Sequence, residues 1–244
     1  VSAYKIRNGA IFAGFDHSYN ISCEQEGERG MTARTRIKVC GITEKADAQG
    51  AVDLGADGLG FIFTDKSPRN IEPEKAREII KSLPPFVEAV GVFVNQAFDV
   101  VNDIMHYCGL TIIQLHGSES PQYCESISCR VVKSFGIGPD SLRPETRPRY
   151  DDYEGLVAGY LLDTFHEKIS GGTGQPFDWS LLETLRPPGH VILAGGLNPH
   201  NVGAAIRTVR PFAVDVNSGV ESEPGHKDLE KLAAFMQEVR KADG

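Results

Sequence analysis

Two side chains of proton-exchanging type stand where apparent β-strands end. Cys40 closes the run RIKVC, and Asp163 lies in GYLLDTF, a carboxylate that follows two leucines in an otherwise apolar segment. An ionised thiol accepts a proton and a carboxylic acid gives one, so the two, facing one cavity, could serve a single substrate as general base and general acid. Each also has a plainer reading. A strand cysteine is usually a small buried apolar residue, and Asp163 could belong to a structural ion pair, although a lone carboxylate in an apolar run is costly to bury. Lys38 shares a face with Cys40 by the two-residue alternation of strands. It either favours the thiolate or fills space with an ion partner of its own. With ordinary pKa values of about 8.5 for Cys and about 3.9 for Asp, thiolate and carboxylic acid rarely coexist. The site is therefore expected to lower the first, raise the second, or both.

A second group of residues has the chemistry of anion binding. AGGLNPHNV carries Gly195 and Gly196 into a helix, and VNSGVE carries Ser218 with Gly219. Glycine-rich turns let backbone N–H groups approach and cradle a phosphate. Glycine pairs are common in turns, and it is the joint placement of these two that points to a phosphorylated substrate.

The elements that must hold these residues follow from hydrophobic periodicity. Short β-branched runs at 36–40, 58–63, 87–94, 111–117, 130–136, 159–165, 190–196 and 212–219 give eight strands, most of them continuously apolar as in parallel strands covered on both faces. Between them, segments such as EKADAQGAVDLG, EPEKAREIIKSL, FDVVNDIMHYC, DWSLLETL, PHNVGAAIRTV and KDLEKLAAFMQEVRK repeat apolar residues three and four apart, with Thr43 and Pro73 as helix-start signals. Residues 139–154, rich in proline and mixed charge, suit a loop, so one connecting helix is short or missing.

The pattern fits an α/β fold, a single (β/α)₈ TIM barrel over residues 35–244. An open doubly wound sheet would put a glycine-rich dinucleotide loop after the first strand, where CGITEK stands instead. In a barrel, loops at the C-terminal ends of the strands assemble the active site, and those after strands seven and eight hold phosphate. Cys40, His116, Asp163, Gly195, Gly196, Ser218 and Gly219 all fall at such ends. Residues 1–34 show no persistent period and are read as an N-terminal appendage.

The formal charge of −8 argues against nucleic-acid or anionic-membrane partners, and no apolar run is long enough for a membrane helix. Five cysteines without a C-x-x-C pair suit reduced thiols in a cytoplasm, and His106 with Cys108 lacks the second half of a metal site.

RIKVCGIT, GADGLGFIF with KSPRNI, VGVFVN, IIQLHG, LLDTF, SGGTGQPFDW, ILAGGLNPHNV and VDVNSGVE, in this order from Arg36 onward, closely resemble the phosphoribosylanthranilate isomerase family of tryptophan biosynthesis. The resemblance implies a cytoplasmic isomerase, monomer or homodimer, that uses no cofactor or metal. Its reaction is an Amadori rearrangement of N-(5'-phosphoribosyl)anthranilate to 1-(2-carboxyphenylamino)-1-deoxyribulose 5-phosphate. By the same resemblance Asp163 is the general acid, Cys40 the general base, and Arg69 the partner of the anthranilate carboxylate. His116, with Gln114 on its face, and Asp215 line the substrate pocket, while Gly171, Gly172 and Gly174 let the loop after strand six fold over it. The alternatives are another aminoaldose–ketose isomerase barrel, in which an aspartate would replace Cys40, and a non-catalytic phosphate-binding barrel.

Because the periodic pattern begins only at Arg36, a chain starting at Met31 is expected to keep full turnover. A steady-state assay on that shortened chain checks this, and a large loss would assign the N-terminal segment a role in the barrel.

Overall fold

The computed structural model describes residues 34–164 and 179–244. Eight parallel strands close into a barrel in chain order: β1 (Arg36–Val39), β2 (Gly58–Ile62), β3 (Glu88–Phe93), β4 (Ile112–Leu115), β5 (Arg130–Ile137), β6 (Gly159–Thr164), β7 (Val191–Leu193) and β8 (Ala213–Val216). The described helices are α1 (Lys45–Asp53), α2 (Pro73–Ile80), α3 (Phe98–Cys108), α4 (Pro121–Ser126), α5 (Leu181–Thr184), α6 (Val202–Val209) and α7 (Leu229–Asp243). The (β/α)₈ architecture expected from the sequence is the one observed.

Alternation along the strands sorts two cores. On β1, Ile37 and Val39 turn outward into the large core shared with the helices, whereas Cys40 packs inside the barrel with Ile62 and Val92. Leu161, on β6, joins Val132 and Ala194 in a further cluster, while Leu162 next to it faces the main core. Helices form where one stripe is apolar. In α3, Val101, Met105 and Cys108 are buried at helical spacing, and Gly109 ends the helix at φ +77° in the left-handed region that glycine tolerates.

Between β5 and β6 two short 3₁₀ turns, Pro139–Leu142 and Tyr150–Tyr153, replace the usual helix. Aromatic rings supply the missing cover. Tyr150 and Tyr153 meet Phe135 edge-on at centroid separations of 4.9 and 5.5 Å, and Tyr150 also meets Tyr160 at 5.8 Å.

At the base of the barrel, the Asp57 carboxylate accepts the Ile37 amide at 2.9 Å and pairs with Arg34. Thr35 donates through its amide and its hydroxyl to Asp243 at the end of α7, at 2.9 and 2.6 Å. No helix among the described residues is long and apolar enough to cross a membrane.

Four details differ from expectation. Helix α4 is a six-residue turn whose cap, Ser120, accepts the Tyr123 amide at 3.2 Å; it is too short to show an apolar period. Thr43 does not cap α1, for Glu44 takes that position and the Thr43 hydroxyl donates to the Gly225 carbonyl at 2.6 Å. Among the described residues of the segment DWSLLETL, Leu181–Thr184 are helical. After β8, a two-stranded hairpin, β9 (Glu221–Glu223) with β10 (His226–Lys227), interrupts the run into α7.

Leu162 is fully buried between β6 and the helices. Leu162→Ala is expected to lower the unfolding free energy by about 2–5 kcal/mol, read from the denaturant midpoint, with the barrel otherwise retained.

Candidate active site

The C-terminal ends of the strands carry a ring of polar groups over an apolar interior. Lys38 and Asp215 reach each other inside the barrel from β1 and β8, with Nζ to Oδ2 at 2.8 Å and both side chains buried. Room for this pair comes from Gly60 on β2, where a Cβ would lie 2.7 Å from the Cys40 Sγ and 3.0 Å from the Lys38 Nζ. Cys40 is only 5% exposed.

Burial governs the charges here. At Lys38 burial opposes the charged form, but the Asp215 carboxylate and the neighbouring thiol outweigh it and hold the ammonium above its ordinary pKa. Burial raises Asp215, tempered by Lys38. Burial also pushes the Cys40 thiol up, and Lys38, which pulls it down, does not offset the effect. Of the shifts the sequence left open, a lowered thiol is not the one observed, since a group deep in the barrel loses more solvation than one neighbouring ammonium restores. Lys38 thus fits both of its readings, with a structural ion partner and a pull on Cys40.

Asp163, at the end of β6, is one-third exposed and faces His116, whose Nε2 lies 3.4 Å from its Oδ2. His116 Nδ1 in turn lies 3.4 Å from the Gln114 amide nitrogen. With that amide donating to Nδ1, the imidazole presents Nε2–H to the carboxylate. The second oxygen of Asp215, Oδ1, is buried without a hydrogen-bond partner among the described residues. A buried unpaired acceptor is costly, which makes it a natural seat for a substrate hydroxyl.

Arg69, in the loop after β2, gives a fork of hydrogen bonds to Glu221, with Nε at 2.9 and 3.1 Å and Nη2 at 2.6 Å. Its stem crosses Gly41, where a Cβ would lie 2.8 Å from the Arg69 Cδ and 2.7 Å from the Asn217 Oδ1; Gly41 itself has φ +73°. The glycine of VCGIT is thus required by both space and conformation. Lys227 donates to Glu221 at 2.7 Å and to the Asn217 side-chain oxygen at 3.1 Å. Sequence reading missed Glu221, Lys227 and Asn217. Glu221 and Asn217 stand in VDVNSGVE, but their contacts arise from the hairpin, which is too short to show a period.

The two glycine turns meet as expected. Gly195 and Gly196 have φ +84° and +65°, and the Asn198 and Asn201 side chains donate to the Gly196 carbonyl at 3.1 and 3.0 Å. Gly219 lies so close to this turn that a Cβ would collide with the Leu197 carbonyl oxygen. Ser218 is exposed at the rim. The asparagines that brace this turn were not singled out from AGGLNPHNV. Gly171, Gly172 and Gly174 lie outside the described residues. Among the described residues no group of three or more His, Cys, Asp or Glu side chains could hold a metal ion.

A family model described as N-(5'phosphoribosyl)anthranilate (PRA) isomerase matches residues 37–238. The chain belongs to the N-(5'-phosphoribosyl)anthranilate isomerase family. A curated member from Geobacter sp. (strain M21) is 49% identical over 208 residues, covering 85% of this chain and 98% of its own length. A solved isomerase bound to reduced 1-(o-carboxyphenylamino)-1-deoxyribulose 5-phosphate superposes with TM-score 0.74 at 41% identity, covering 85% of this chain and 99% of that one. Monomers generated from the dimeric isomerase of Thermotoga maritima give the same TM-score, identity and coverage.

Gly219→Ala must push the two turns of this isomerase barrel apart. Calorimetry with inorganic phosphate is expected to show affinity at least about tenfold weaker than the parent's, the size of one lost charge-assisted hydrogen bond. Unchanged affinity would place the anion elsewhere.

Proposed function

We propose that this protein isomerises N-(5'-phosphoribosyl)anthranilate to 1-(2-carboxyphenylamino)-1-deoxyribulose 5-phosphate, the Amadori step of tryptophan biosynthesis. The observation that carries the reading is the joint presence, on strand ends of one barrel mouth, of a buried thiol, a partly exposed carboxyl and a pair of glycine turns. Family membership over nearly the whole barrel supports the same substrate.

In this reading the phosphate sits against the turns of Gly195, Gly196, Ser218 and Gly219, and the ring carboxylate meets Arg69. Asp163, in its acid form, gives its proton to the furanose ring oxygen as the C1'–O bond breaks and the anilino nitrogen supplies the electrons of a C=N bond. His116 orients that carboxyl. The iminium makes the C2' hydrogen acidic, and the Cys40 thiolate removes it, leaving an enolamine that tautomerises to the ketone. Asp215 accepts a sugar hydroxyl through its free Oδ1.

Catalysis belongs to residues 35–244, with residues 1–34 an appendage. The enzyme works in the cytoplasm as a monomer or homodimer. Free thiols at Cys40, Cys108, Cys124 and Cys129 support the first point, and the dimeric Thermotoga relative keeps both states open on the second.

Cys40→Ala and Asp163→Asn are each expected to lower kcat by about 10² to 10⁴ with the fold intact, since each deletes one positioned proton carrier. The base acts only as thiolate, present above the thiol's pKa. Because burial raises that pKa, the alkylation rate of Cys40 against pH is expected to show a midpoint above the ordinary thiol value of about 8.5. Turnover by Cys40→Ala within about threefold of the parent would assign the base to another group.

A further inference from the structure

The loop arginine of this site is held by a buried carboxylate. Arg69 uses its Nε–Nη2 edge on Glu221, which leaves the Nη1 edge of the planar fork without a protein partner among the described residues. Glu221 in turn is buried, at 4% side-chain exposure, against Lys227, at 0%. The hairpin that carries both is fastened on several sides. The Lys227 amide donates to Asp47 at 2.8 Å, Lys231 donates to the Glu221 carbonyl at 2.9 Å, and Thr43 donates to the Gly225 carbonyl.

Two basic side chains, Arg69 and Lys227, share one carboxylate, and burial opposes the charged form of Lys227. A Glu–Lys pair alone would satisfy the buried charges, and such pairs add little to stability. The extra cation comes from a loop beside Cys40 and turns its free edge away from its partner. That edge matches the bidentate geometry of a carboxylate.

We propose that Glu221, fixed by Lys227, is a positioning residue that presents the free edge of Arg69 to an aryl carboxylate and so sets the preference for a carboxylated ring. This rests on the isomerase reading above. Without Glu221 the guanidinium keeps its charge but loses its orientation, and a flexible side chain must then be ordered by the substrate itself.

Calorimetry with two probes tests this: the reduced product analogue, 1-(o-carboxyphenylamino)-1-deoxyribulose 5-phosphate in reduced form, and its counterpart lacking the ring carboxylate. The ratio of their affinities reads carboxylate preference, expected at about 10- to 100-fold in the parent. Arg69→Gln should bring the ratio close to one. Glu221→Gln should remove most of it, as should Glu221→Gln combined with Lys227→Met, which also removes the buried ammonium that the single variant would strand. In both, affinity for the carboxylate-free probe should stay within about threefold of the parent. A ratio within about threefold of the parent's in the Glu221 variants overturns the positioning role. Equal loss of both probes also overturns it, being the mark of a merely structural carboxylate. An unchanged ratio in Arg69→Gln overturns the assignment of Arg69 itself, which separates failure of the parent reading from failure of this one.

Discussion

The buried pair of Lys38 and Asp215, 2.8 Å apart, is the interaction on which the rest of the barrel mouth depends. It joins the first strand to the last across the seam where the barrel closes, in register with the pairing of Lys38 and Asp215 on the two backbones. A buried ion pair adds little net stability, but removing one partner leaves a stranded charge and costs several kcal/mol. Its presence therefore constrains its neighbours. Residue 60 must be glycine-sized, and Cys40 must share its enclosed space with an ammonium. Among the described residues the same carboxylate keeps one buried oxygen without a hydrogen-bond partner.

Around this centre the mouth is assembled from elements outside the barrel sheet. The loop after β2 brings Arg69, the hairpin after β8 brings Glu221 and Lys227, and the short loop after β4 is braced from below. There the Lys133 ammonium donates to the Leu115 and Gly117 carbonyls at 3.3 and 2.8 Å and lies 3.2 Å from Glu119. Glu119 in turn accepts the Asn95 and Gly117 amides. These buried charges fix loops beside His116, so the position of the imidazole follows from polar bracing more than from apolar packing.

The strands were legible because both faces of each are covered, so every position is under pressure to be apolar and exceptions such as Asp163 stand out. The proline-rich stretch before β6 was legible for a similar reason, since proline and charge exclude a long helix. What escaped were features whose signal is not local. Helix α4 is shorter than two turns, the β9–β10 hairpin has too few residues to show alternation, and Thr43 looks like a cap until Gly225 is seen within reach. The direction of the Cys40 shift could not be read from the sequence, because Lys38 is visible two residues away whereas the depth of burial is created by the whole barrel.

The clasp between Thr35 and Asp243 spans 208 residues of chain, and β1 can complete its pairing only with β8. As the chain leaves the ribosome, the first strand therefore waits on the last, with one edge open and the Lys38 ammonium unmatched. Contacts this distant close slowly, and an open strand edge is a site for misassociation. The route to the folded barrel is thus gated by its last strand, and a ribosome stalled before β8 would hold a partly built sheet whose seam has nothing to close against.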